Sequence, residues 1–287
     1  MISRIVLGLM WLIHFLPLRV VSRIGDAVGR LAYWLIPERR KVTRINLEKC
    51  FPGMAPSERE ALARAAFRLF CRSFIERGLL YWAPPKRIER LVRVDGMEHL
   101  KALEGRRVVI LAPHFVGFEA PLMRLSMGSA TATMYARQKD PFFERVMYAG
   151  RSRFGLQLFP RQAGIRKALR AIQSGAIYYY LPDMDFGSKS AVFAPFFGVP
   201  AATVTGLSYI ARATGAAVVP CVARMLPGGG YVGTLHPAWS DFPSGDDAAD
   251  ARRMNAFIEE RVLEMPEQYH WLHKRFKTRP EGEPKFY

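Results

Sequence analysis

The chain has 287 residues, half of them hydrophobic, with 42 Lys and Arg against 25 Asp and Glu, a formal net charge of +17 and a pI of about 10.2. This excludes a disordered chain, which cannot bury enough apolar surface, and a polytopic membrane protein, because charges make up 23% of residues and are spread along the length. Cys50, Cys71 and Cys221 are too few and too scattered for a disulfide framework or a zinc site, which points to a reducing compartment.

Ile5 to Leu18 is apolar apart from His14, with Arg4 and Arg19 beside it. Fourteen helical residues would span about 21 Å, short of the roughly 30 Å hydrocarbon core. No small-residue cleavage site follows, so the segment reads as an uncleaved anchor rather than a signal peptide. A buried core helix is the plain alternative. Val20 to Ile36 spaces Arg23, Asp26 and Arg30 among apolar residues and ends at Trp34, Leu35 and Ile36, the pattern of an interfacial amphipathic helix. Residues 1 to 50 hold nine cations and three acids. Cations beside an apolar anchor suit anionic headgroups on the cytoplasmic side. Ser57 to Trp82 is a long helical pattern, with Ser57 and Glu60 spaced as a capping box, and Pro84-Pro85 closes it.

From about residue 91 short β-branched runs alternate with helical stretches. The strand candidates are Leu91–Val94, Val108–Ala112, Ala132–Tyr135, Leu156–Phe159, Ile177–Leu181 and Val218–Ala223. Helical patterns lie near Glu119–Ser126, Pro141–Phe154, Gly164–Ser174, Ala201–Ala213 and Asp246–Met265. Pro227 to Gly230 reads as a hairpin turn into Tyr231–Leu235. The alternation predicts an α/β fold: one mixed, largely parallel sheet flanked by helices. Three regions follow: a membrane-associating segment (1–37), a helical region (38–90) and an α/β domain (91–287).

Nucleophile-elbow, P-loop, dinucleotide and zincin motifs are absent from the sequence. His114 follows the apolar run 108–113 directly, at a strand end where α/β domains bind ligands. Glu119 stands five residues on. Their side chains can meet only if the chain turns, which Gly117 permits. A carboxylate bonded to an imidazole fixes its tautomer and strengthens the other nitrogen as a base. A structural His with an outward Glu is the bland alternative. Asp183 and Asp185 lie at a second strand end and could share the same edge. Asp183 and Asp185 might suggest a calcium loop, but Ala194 stands where an EF-hand needs Glu, so an EF-hand is excluded. Phe193, Phe196 and Phe197 form an aromatic patch that, with Phe115, could line an acyl groove or simply be core. Between Arg137 and Arg170 lie nine cations and two acids, a solvated face or an anion-binding patch. His270 and His273 have no third ligand nearby, so no metal is expected.

Together these features resemble a family. The H-x4-E step after VVILAP is similar to the signature of glycerolipid acyltransferases. Asn46-Leu47 with Cys50-Phe51-Pro52, LPDMDFG, VFAPFFGVPAAT (192–203) and the terminal block from Pro266 to Tyr287 resemble the lipid A biosynthesis acyltransferases. The resemblance implies a glycerolipid-acyltransferase-like fold and an acyl-carrier-protein-dependent O-acyltransferase. An acyl chain, lauroyl-type first, would pass to a hydroxyl of an acyl chain on Kdo2-lipid IVA or a related precursor. His114 would be the base and Glu119 its partner. Arg151 and Arg161 would be oxyanion or phosphate donors, and Asp183, Asp185 and Gly117 would support the site. No cofactor is implied beyond the acylated carrier protein as donor. Implied partners are that carrier protein, anionic inner-membrane lipids and the lipid A precursor, at the cytoplasmic face of the inner membrane and without nucleic acid. Another acceptor, such as a lysophospholipid, ornithine lipid or other glycolipid, is the alternative.

Overall fold

The structure, a computed structural model, describes residues 2–287. Helix α1 (Ile2–Ile13) is apolar yet only 12 residues long. Among the described residues no helix is long and apolar enough to cross a membrane. Leu7 and Met10 are buried, and α1 packs on the later helices 56–82 and 141–152. Ile5, Leu9, Trp11, Leu12 and Phe15 face outward. Helix α2 (Leu18–Leu35) is amphipathic, as its pattern required, with Val21, Gly25, Gly29, Ala32 and Tyr33 buried. A Cβ on Gly25 would sit 2.6 Å from Arg72 Cα, and one on Gly29 2.4 Å from Arg68 Cα. These glycines let α2 lie backbone-to-backbone against the long helix behind it.

Helix α3 (Pro37–Cys50) leads into α4 (Pro56–Trp82). The expected capping box at Ser57 is not formed. The helix starts one residue earlier, and Glu58 accepts from the Ala55 N–H at 3.2 Å. Glu60 is instead drawn to Tyr33 (2.6 Å), Arg44 (2.9 Å) and Arg64 (3.1 Å). It thereby ties α2, α3 and α4 together.

The strands expected from 91 onward all form. In chain order the elements are α5 (Pro85–Leu91), β1 (Val92–Asp95), α6 (Met97–Lys101), β2 (Val108–Leu111), α7 (Glu119–Ser126), β3 (Thr131–Tyr135), α8 (Pro141–Ser152), β4 (Gln157–Pro160), α9 (Arg166–Gln173) and β5 (Ile177–Tyr180). After them come β6 (Ala191–Phe196), β7 (Val199–Val204), α10 (Gly206–Thr214), β8 (Ala217–Met225), β9 (Tyr231–Leu235) and α11 (Asp247–Glu264). The sheet order is β1-β9-β8-β2-β5-β3-β4, parallel throughout except for the β8–β9 hairpin. Fully buried β2 reads as a continuous apolar run because both sheet faces are covered. Val109, Leu111 and Tyr178 face α9, α10 and α11, whereas Ile110 and Tyr179 face α7.

Two expectations change. The stretch 191–204 is an antiparallel hairpin outside the main sheet, turning at Phe197 (φ 49°) and Gly198 (φ 74°). Left-handed values at both residues are those of a tight two-residue turn. The helix expected from Ala201 therefore starts only at Gly206, because β7 takes the first residues.

Candidate active site

Strands β2 and β5 are parallel neighbours, so the residues beyond their C-terminal ends meet. The Ala112 N–H still bonds the Tyr180 carbonyl at 2.8 Å. Pro113 then stops the ladder, and His114 comes off the end. On the β5 side Pro182 precedes Asp183. One Asp183 oxygen lies 2.6 Å from His114 Nδ1 and the other accepts the His114 backbone N–H at 2.9 Å. Both oxygens thus hold one residue. Asp183 is buried. Burial alone would raise its pKa, but the His114 ring and N–H offset that and bring it to about 2. With Nδ1 facing Asp183, Nε2 is the ring nitrogen left without a hydrogen-bond partner among the described residues.

This corrects the expected pairing. Among the described residues no hydrogen bond joins His114 to Glu119. Glu119 opens α7, buried, and accepts from Tyr81 at 2.8 Å and from Arg151, and it forms an ion pair with Arg77, whose Nε lies 3.2 Å away. Burial would raise its pKa; the guanidinium groups of Arg151 and Arg77 reverse this and hold it at about 2. Glu119 therefore fixes two cations instead of orienting the imidazole. Sequence reading missed Arg77 and Tyr81. Both sit on α4, whose many arginines give Arg77 no distinguishing signal.

Gly117 does what its turn required. Its φ is 78°, its N–H donates to Ser73 Oγ at 2.8 Å, and a Cβ there would meet the Tyr231 ring at 2.2 Å. The C-terminal segment clamps the same turn. The Val116 N–H bonds the Gln268 carbonyl at 2.7 Å, and the His270 N–H bonds the His114 carbonyl at 3.1 Å. Asp185 anchors that segment through the Thr278 N–H (2.6 Å) and hydroxyl (2.8 Å). His270 lies beside His114, with the ring centroids 6.3 Å apart. His270 stacks on Phe70 at 4.9 Å, and burial lowers its pKa to about 3.

A cavity of about 560 Å³ opens beside His114 at the C-terminal edge of β2, β3 and β5. Phe70, Leu122, Met134, Leu181, Met184 and Val204 give it an apolar wall. Arg77, Arg151 and Arg161 against Glu119 make it cationic. Arg151 is tied to Glu119, whereas exposed Arg161 lies over the Phe186 ring at 3.9 Å with no carboxylate partner among the described residues. The expected aromatic groove is largely elsewhere. Phe115 contributes to the wall, though its ring is buried against Tyr269. Phe196 is core beside Tyr269 and Phe276, Phe197 packs on Phe51, and Phe193 points outward on β6. A base held by a buried carboxylate, next to an apolar cavity with fixed cations, can deprotonate a hydroxyl and stabilise a developing oxyanion.

A sequence model of the bacterial lipid A biosynthesis acyltransferases matches residues 1–278. The lipid A biosynthesis lauroyltransferase of Escherichia coli (strain K12) is 34% identical over 98% of this chain and 93% of its own length. The palmitoleoyltransferase of the same strain is 32% identical over 98% of this chain and 92% of its own, and the myristoyltransferase 32% over 92% and 82%. By this match along its whole length, the chain belongs to the bacterial lipid A biosynthesis acyltransferase family and is an acyltransferase.

Proposed function

We propose that the protein transfers an acyl chain, lauroyl in the first instance, from acyl carrier protein to a hydroxyl of an acyl chain on Kdo2-lipid IVA or a related precursor. The observation that carries this reading is the His114–Asp183 pair at the rim of a cationic, apolar-walled cavity. His114 Nε2 takes the acceptor hydroxyl proton as that oxygen attacks the thioester carbonyl. The C–S bond then breaks, an ester forms, and the imidazolium returns its proton to the departing thiolate. Arg151, held still by Glu119, faces the oxyanion, and Arg161 meets an acceptor phosphate. No covalent acyl-enzyme is needed.

The same reading seats the protein on the cytoplasmic face of the inner membrane. Ile5, Leu9, Leu12, Leu31, Trp34 and Leu35 present a run of exposed apolar side chains on α1 and α2, with Arg19, Arg23 and Arg30 among them. Such a face lies in the headgroup boundary and binds anionic lipid. The test is His114→Ala. With lauroyl-carrier protein and Kdo2-lipid IVA, transfer should fall by about 10²-fold or more, with melting and vesicle binding unchanged. A purified variant working at the parental rate overturns the base assignment.

A further inference from the structure

Between Arg145 and Pro182 the chain carries seven cations and no carboxylate. Part of this run forms α9, and its placement is locally unfavourable. Arg166 and Lys167 occupy the first turn, where no acid accompanies them. Cations at a helix N-terminus oppose the macrodipole. Arg166 and Arg170 are also four apart, a like-charge pair that repels along a helix. The buried face of α9 is Ala168, Ala171 and Ile172, so the three cations contribute nothing to the core. Arg166, Lys167 and Arg170 are exposed, and none has an ion-pair partner among the described residues. The helix follows Arg161 of the cavity wall by a few residues, and exposed Lys189 adjoins the wall residue Ser190. Local costs without a structural return mark a surface shaped for a partner.

Two anionic partners could use such a surface, and the observations favour one. A bilayer surface needs apolar side chains between the cations. No large apolar side chain of α9 is exposed; those of α1 and α2 are. An acidic protein docking on α9 would bring a tethered acyl group to the cavity mouth beside Arg161.

We propose that Arg166, Lys167 and Arg170, continued by Lys189, form the docking surface for the acidic carrier protein that brings the acyl thioester. This rests on the donor assigned above. Charge complementarity there sets encounter rate and register, so the surface acts on donor KM and not on chemistry. The test is Arg166→Glu/Lys167→Glu/Arg170→Glu in the full chain. Expected is a rise of at least about tenfold in KM for lauroyl-carrier protein, with kcat changed less than about twofold. Lauroyl N-acetylcysteamine, a thioester without the protein, should react with both enzymes alike. Parental KM for the carrier protein should climb with salt and the variant's should not. The milder Lys167→Gln/Arg170→Gln pair should show an intermediate KM and covers misfolding of the triple variant. A parental KM in both variants overturns the surface. Equal loss on the small thioester in a folded variant also overturns it, by placing the damage at the catalytic centre. Lost vesicle binding assigns the patch to the bilayer instead. A parental enzyme that uses the small thioester and ignores the carrier protein removes the donor reading, and the docking surface with it.

Discussion

Replacing Asp183 with Asn separates the observed pairing from the one the H-x4-E spacing suggested. Asparagine keeps the shape and one neutral hydrogen bond but removes the charge that faces His114 Nδ1 at 2.6 Å. During proton transfer His114 becomes an imidazolium. A carboxylate that close attracts it by roughly 4–6 kcal/mol at an effective dielectric near 20. The remaining neutral bond returns about 1 kcal/mol. The net loss of about 3–5 kcal/mol corresponds to a fall of roughly 200- to 5,000-fold in kcat. The assay is initial rate at saturating donor and acceptor, in the parental chain and in a His114→Ala background. The substitution should leave both KM values nearly unchanged. It should add nothing once His114 is gone, because the two groups act as one unit. An Asp183→Asn enzyme within about threefold of the parental kcat, or one that slows the His114→Ala enzyme further, would refute the dyad.

Glu119→Gln acts differently. It strands the Arg77 and Arg151 guanidinium groups, and breaking a buried pair in this way costs about 3–5 kcal/mol. Tm should drop by roughly 5–8 °C; an unchanged Tm would remove Glu119 from its structural role. Acid stability follows from the depressed pKa values. His270 and His273 are lowered to about 3 and about 4, chiefly by burial, from an ordinary 6.5. The unfolded chain takes those protons first, so this stability is complete above pH 6.5 and lost as pH falls toward 4. Asp183 and Glu119, held at about 2, add a second loss below their ordinary 3.8 and 4.5. Melting followed against pH should show the first decline below about 6.5 and a shallower one in His270→Gln; a level Tm from about pH 7 to 5 would contradict it. Trp34→Ser/Leu35→Ser should weaken binding to anionic vesicles by about 1–2 kcal/mol per residue, roughly tenfold each. Unaltered vesicle binding would take α2 out of the interface.

The sheet was legible because its central strands β2 and β8 are buried on both faces and read as apolar runs. The hairpin β6–β7 was not. Pro195, Gly198 and Pro200 interrupt its alternation, and the Ala-rich stretch after 200 suits a helix equally well. His114 was found from its place at the end of β2. Its partner was misassigned because Glu119 is near in sequence, yet α7 starts there and turns the carboxylate toward Arg77 and Arg151. Asp183 is 69 residues away. Only the parallel pairing of β2 with β5 brings it alongside, and the pairing order is a property of the whole sheet. The aromatic patch at 193–197 was read as groove or core. Phe196 settled into the core, because burying a ring against Tyr269 and Phe276 needs no ligand.

Acceptor choice separates acylation of a lipid A precursor from acylation of a lysophospholipid. The most direct measurement gives the purified protein a choice of acceptors, Kdo2-lipid IVA and a lysophospholipid, with carrier-protein donors from decanoyl to palmitoyl, and reads the products by mass spectrometry. The expected product is Kdo2-lipid IVA with one added acyl ester, greatest with lauroyl and absent with His114→Ala. An unchanged Kdo2-lipid IVA beside an acylated lysophospholipid would contradict the proposed acceptor.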